Sequence, residues 1–204
     1  MNRLQRQHYA QAQKAWLERL ANEHKWDYAI TLQTHLKTYA VSAATRQQRI
    51  EAVEKATHRF KMRLNRLLTG NGWRRNQAYT PHFLSSIEGV DSKDNTLHIH
   101  ASIGNVGHKT TEATRALLEQ GIRQLWLKTN VFVPITPNLT TSPLTQVAKD
   151  DVKVVLIGKG EQAYTAQRWL GYTAKEADKA RWDGIGTTHR ISKHDKAQHL
   201  RHKA

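Results

Sequence analysis

The chain has 204 residues, no cysteine and a formal net charge of +15, which suits one domain with a few added helices and excludes disulfides, thiolate ligands and thiol nucleophiles. The cationic excess is a statement about partners, and nucleic acid is the polyanion expected, ahead of an anionic membrane surface. No run reaches the roughly 20 apolar residues of a membrane span and the start lacks an apolar signal core, so a cytoplasmic protein with no membrane partner is expected.

Taken in chain order, the segment from Arg3 to His24 is rich in Ala, Gln, Leu, Arg and Glu. Leu4, Ala12, Ala15, Trp16 and Leu20 recur there at roughly helical spacing, which predicts a helix covering the domain. Trp26 to Gln33 mixes aromatic and β-branched residues with partial alternation and reads as a strand, followed by a connection over Leu36 to Ala43. Ser42 to Leu68 is the longest helical stretch, with Thr45 as its N-cap and Ile50, Val53, Ala56, Phe60, Leu64 and Leu67 as its apolar stripe. Gly70-Asn-Gly72 ends it. Its polar face carries Arg59, Arg63 and Arg66, and Arg74 and Arg75 follow; these five are the candidate DNA-binding residues, set against the plainer reading of a solvated charged face.

Tyr79 to Gly89 is the second strand, Val90 to Asn95 a polar turn, and Thr96 to Ile103 the third strand. Gly104 to Gly107 breaks the pattern, and Thr110 or Thr111 caps a helix running to about Leu127; Gln124 to Val133 fits helix or strand. Pro134 to Lys149 is a long loop, Asp151 to Gly158 a strand, and Glu161 to about Trp182 helical with Gly171 interrupting it. Beyond Gly184 the chain is polar, basic and rich in His, and a tail of low order is expected after about Thr188.

Chemistry concentrates in Thr96-Leu97-His98-Ile99-His100. Strand side chains alternate between faces, so His98 and His100 share one face while Ile99 points into the core. Two imidazoles side by side are half of a divalent-metal site, although the plainer alternative is a pair of exposed strand histidines. A short turn between the second and third strands makes an antiparallel hairpin that brings Glu88 to the pair as a third ligand. His82, Asp91 and Asp94 are the next ligand-type residues nearby. One carboxylate with two imidazoles suits Mg²⁺ or Mn²⁺, and Zn²⁺ is also accommodated.

Further on stands Tyr172-Thr-Ala-Lys175, a tyrosine with a lysine one helical turn later. Taken with Ala29-Ile-Thr-Leu32, Arg63-Leu-Asn-Arg66, Ile87-Glu-Gly89 and the His pair, in that order, the chain resembles the HUH endonucleases, most closely the single-tyrosine rolling-circle replication initiators. The resemblance spans about Tyr28 to Glu176. It implies an α+β domain, a central antiparallel sheet flanked by helices with a ferredoxin-like, RRM-related core. In that frame residues 1–25 form an N-terminal helix packed on the domain, 26–183 the HUH endonuclease domain and 184–204 a basic His-rich tail.

The roles the resemblance implies are Glu88, His98 and His100 for metal, Tyr172 as nucleophile and Lys175 as its assistant. The implied activity is metal-dependent nicking and joining of a single-stranded DNA origin through a 5′-phosphotyrosine, initiating replication of a plasmid or phage. No Gly-x-x-x-x-Gly-Lys-Ser/Thr phosphate loop is present, so a host helicase is an expected partner. Tyr164, in Tyr164-Thr-Ala-Gln167, competes with Tyr172 and points toward a transposase-like strand transferase. A non-catalytic nucleic-acid-binding module on the same fold is the other alternative.

Overall fold

The computed structural model describes residues 3–72, 80–106, 112–129, 151–158, 165–173 and 186–187. The order of elements is α1 (Arg3–Glu23), β1 (Trp26–Gln33), α2 (Ala43–Thr69), β2 (His82–Glu88), β3 (His98–Gly104), α3 (Glu112–Leu127), β4 (Val152–Leu156), α4 (Ala166–Thr173) and β5 (Gly186–Thr187). The strands form one sheet in the order β4-β1-β3-β2-β5, and each neighbouring pair is antiparallel. This is the α+β architecture expected, with an antiparallel sheet and helices packed on it.

Alternation along the strands sorts residues onto two faces. One face carries Tyr28, Ile30, Leu32, Phe83, Ile99 and Ile103 and is sealed by Val53, Phe60 and Leu64 of α2 and Ile122 and Trp126 of α3. Phe60 meets Trp126 edge-on with centroids 5.7 Å apart, and Trp126 Nε1 donates to the Gln33 carbonyl at 2.8 Å. The opposite face carries Ala29 and Leu84, covered by Leu17 and Leu20 of α1 and Leu170 of α4. Trp26 joins this second cluster because the β1 register shifts between Trp26 and Tyr28.

Several local expectations are corrected. The α2 cap is Ser42, not Thr45: Ser42 is extended, with φ −60 and ψ 154, and its Oγ accepts from the Thr45 N–H at 3.1 Å, which satisfies one donor of the first turn. Leu67 does not join the α2 core; it is exposed, although its methyl groups lie against Gly121 of α3. Among the described side chains of α1, Leu20 is buried and Trp16 packs against the second cluster as read, but Leu17 joins them and Ala12 and Ala15 face solvent. The Gln124–Leu127 stretch is helix, the end of α3. Helix α4 runs through Gly171 without a break. A two-residue strand that sequence gave no sign of, β5, pairs with Leu84 and Ser85 on the free edge of β2. The long loop 134–149 and Thr110 and Thr111 lie outside the described residues.

Candidate metal centre

The β2–β3 hairpin is set by its turn. Gly89 has φ 82, in the left-handed region, and a Cβ there would run into the Thr96 carbonyl. Only glycine permits this close approach of the two strand ends. The Asp91 N–H donates to Thr38 Oγ1 at 2.8 Å, and Arg46 of α2 holds the Asp91 carboxylate at 3.0 Å, so Asp91 is spoken for away from the histidines. The Leu97 N–H donates to the Leu36 carbonyl at 2.6 Å. With the turn fixed, Glu88 stands opposite His98, and Ser86 opposite His100.

Residues directly opposite on neighbouring antiparallel strands share a face. Glu88, His98 and His100 therefore converge on the face of α1 and α4, and the three offer ligand atoms that all lie within 4.8 Å of one another. Their side chains are 3%, 15% and 8% exposed, which removes the alternative of two solvent-facing histidines on a basic surface. The imidazole rings stand edge to face, with centroids 4.9 Å apart.

The spacing discriminates between two kinds of cluster. Glu88 Oε2 lies 3.7 Å from His98 Nε2 and 3.6 Å from His100 Nε2. These separations are too long for charge-assisted hydrogen bonds. Two donor atoms each about 2.1 Å from one cation stand roughly 3.0–3.6 Å apart, so the two carboxylate–imidazole separations lie at the upper edge of what a shared ion draws together.

Hydrogen bonds on the far side of each ring set the nitrogen that faces inward. His98 Nδ1 lies 2.9 Å from the Thr96 carbonyl, which only accepts; Nδ1 therefore carries a proton, and Nε2 is the nitrogen that faces Glu88. His100 Nδ1 lies 3.1 Å from Thr31 Oγ1 on β1, which turns its Nε2 toward the same carboxylate oxygen. Histidine ligands are commonly oriented by such partners on the second nitrogen. The donor set and the inward-facing Nε2 atoms fit a metal ion, with Glu88, His98 and His100 as the candidate ligands. Thr31 and Thr96 were not singled out by the sequence reading as ligand-orienting residues; Thr31 sits inside the Ala29–Leu32 motif, but its partner is set by cross-strand register.

Helix α4, which contains position 172, packs on β3 and β2 and on α1. Through Leu170 it covers the same sheet face that bears the three ligand candidates. Gln167 of this helix donates to Glu18 of α1 at 3.2 Å. Lys175 and Tyr164 lie outside the described residues, as do Arg74 and Arg75.

The remaining DNA-binding candidates stand elsewhere. Arg59, Arg63 and Arg66 are on α2, across the sheet from Glu88, His98 and His100. Arg59 and Arg66 are exposed, and Arg63 donates to the Lys128 carbonyl just past the end of α3 at 2.6 Å. The structure therefore does not bring these arginines together with the metal candidates. On the metal-candidate face, Lys153 of β4 is exposed and paired in register with Thr31. Among the described residues no helix is long and apolar enough to cross a membrane. No protein-family model, curated protein or solved structure matches the chain.

Proposed function

We propose that the protein is a metal-dependent, single-stranded-DNA nicking and joining enzyme of the HUH type, with Glu88, His98 and His100 holding Mg²⁺ or Mn²⁺. The observation that carries this reading is the convergence of two imidazole Nε2 atoms and one carboxylate oxygen on a buried point of the sheet, with His98 Nδ1 engaged by the Thr96 carbonyl. The charge of +15 supports a polyanionic substrate. The position of α4 over the same sheet face supports Tyr172 as the residue that works with the triad.

In this reading Glu88, His98 and His100 would hold the cation, which would supply the polarisation of the scissile phosphate that a weak nucleophile requires. Tyr172 Oη attacks phosphorus, the bond to the 3′ oxygen breaks, and the products are a 5′-phosphotyrosine and a free 3′-hydroxyl. The phenol proton ends on the departing 3′ oxygen, with help from Lys175, three residues further along the chain. The phosphodiester is exchanged rather than hydrolysed, so the 3′-hydroxyl can attack in turn and rejoin the strand without ATP. The ferredoxin-like, RRM-related form of the sheet, a replication origin as substrate and a host helicase as partner belong to the same proposal.

Incubation with single-stranded DNA and Mn²⁺, resolved on a denaturing gel, tests it. The expected result is a covalent protein–DNA adduct that is lost in Tyr172→Phe and His100→Ala and retained in Tyr164→Phe. An adduct that maps to Tyr164 would move the protein to the transposase-like reading. The low exposure of the triad favours one competitor, a binding module in which a closed cation site ties β2 to β3, since structural metal sites are closed and catalytic ones keep an open position. That reading requires no adduct with any of several DNA sequences, and a melting temperature that rises on adding Mn²⁺.

A further inference from the structure

Ser86 is 2% exposed, and its Oγ has no hydrogen-bond partner among the described residues. It stands directly opposite His100 and two residues before Glu88, on the face where the three ligand candidates converge. Burying a hydroxyl without a partner is unfavourable, and an alanine would fill a packed strand position without that cost. The nearest polar neighbour in register does not relieve it: His100 turns Nδ1 to Thr31, and its Nε2 faces Glu88. Its neighbour Ser85, equally buried, faces the other side of the sheet.

We infer that Ser86 is a positioning residue of the metal centre, whose hydroxyl holds an oxygen ligand that does not come from the protein. The inference rests on the metal reading of Glu88, His98 and His100. Three protein donors leave a Mg²⁺- or Mn²⁺-type ion short of its usual oxygen-rich shell, and such ions complete it with water or phosphate oxygens. Ser86 stands beside the donor set with its hydrogen-bonding capacity unspent. A water and a phosphate oxygen both accept from a serine hydroxyl, so the shared chemistry is an oxygen lone pair directed at Oγ.

The test is Ser86→Ala, with Ser85→Ala as control on the opposite face, in the full chain. Apo melting is measured with chelator present, and Mn²⁺ affinity by calorimetry with and without inorganic phosphate. Ser86→Ala is expected to leave the apo melting temperature unchanged or raise it, and to weaken Mn²⁺ binding by about tenfold, the low end of what removing a partner around a metal site costs. Weakening with Mn²⁺ alone identifies water as the oxygen ligand; weakening only with phosphate present identifies the phosphate. Ser85→Ala is expected to leave the affinity within twofold of wild type. If Ser86→Ala binds Mn²⁺ as wild type does in both settings, or lowers the apo melting temperature by several degrees, the proposal is overturned while the metal centre stands. If wild-type protein takes up no more Mn²⁺ than Glu88→Gln, the metal centre itself fails and this proposal with it.

Discussion

Thr31 and the Thr96 carbonyl orient the imidazoles of His100 and His98, because each engages Nδ1 and leaves Nε2 facing Glu88. Thr31→Val keeps the shape of the side chain and removes the hydroxyl. It is expected to weaken Mn²⁺ binding by roughly tenfold in a calorimetric titration, while Thr31→Ser retains most of the affinity. A different histidine contributes to acid sensitivity. His82 meets His24 at a tilt of 44°, with centroids 4.4 Å apart, and lies near Trp26. Burial, and then the charge of His24, hold its pKa below the ordinary histidine value of 6.5. The unfolded chain therefore binds more protons at this position than the folded one over the interval from 6.5 downward, so the contribution of His82 to stability falls as pH falls. Chelator-treated protein should melt at a lower temperature at pH 5.5 than at about 7.5, and His82→Phe, which keeps a ring there, should flatten that dependence. An equal slope in wild type and variant would remove His82 from the account.

At the scale of elements, the hairpin is the decisive unit. A register slip of one residue would carry His98 and His100 to the α2 face and Ile99 out of it. Gly89 guards against this, because its φ of 82 and the approach of the Thr96 carbonyl leave no room for a Cβ. Gly89→Ala is expected to cost about 2 kcal/mol in urea unfolding and to weaken Mn²⁺ binding at the same time, since fold and site share the turn. Ser42→Ala removes the α2 cap on the other side of the sheet. It should cost about 1 kcal/mol and leave Mn²⁺ affinity unchanged. The two variants together separate loss of stability from loss of the site.

For the molecule as a whole, the proposed function makes a prediction about which face of the sheet a DNA strand crosses. The sheet separates Arg59, Arg63 and Arg66 on α2 from Glu88, His98 and His100, and Lys153 stands in register with Thr31 on the latter side. If a strand crosses the face of the triad, Lys153→Ala should reduce the salt dependence of single-stranded-DNA binding by about 0.7 in slope, the contribution of one phosphate, and Arg59→Ala should not. The opposite pattern would assign binding to α2 and separate it from the metal centre.

Much of this protein is local and therefore legible in the chain. The alternation in Leu97 to Ile103 and the apolar stripe Ile50, Val53, Ala56, Phe60 and Leu64 state their own element type, because burial selects period 2 or 3.6 residue by residue. The pairing of Glu88 with the two histidines was legible because a short turn leaves few registers. Other features depend on residues far apart in sequence. Thr31 lies 69 positions from His100, so nothing in its local pattern marks it as the group that orients the imidazole. Ser86 reads as an ordinary small strand residue until the fold buries its hydroxyl beside the donor set. The separation of the α2 arginines from the metal centre was equally hidden. Charge is written in the sequence, but the side of the sheet on which it lies is fixed only when α2 closes one core and α1 with α4 closes the other.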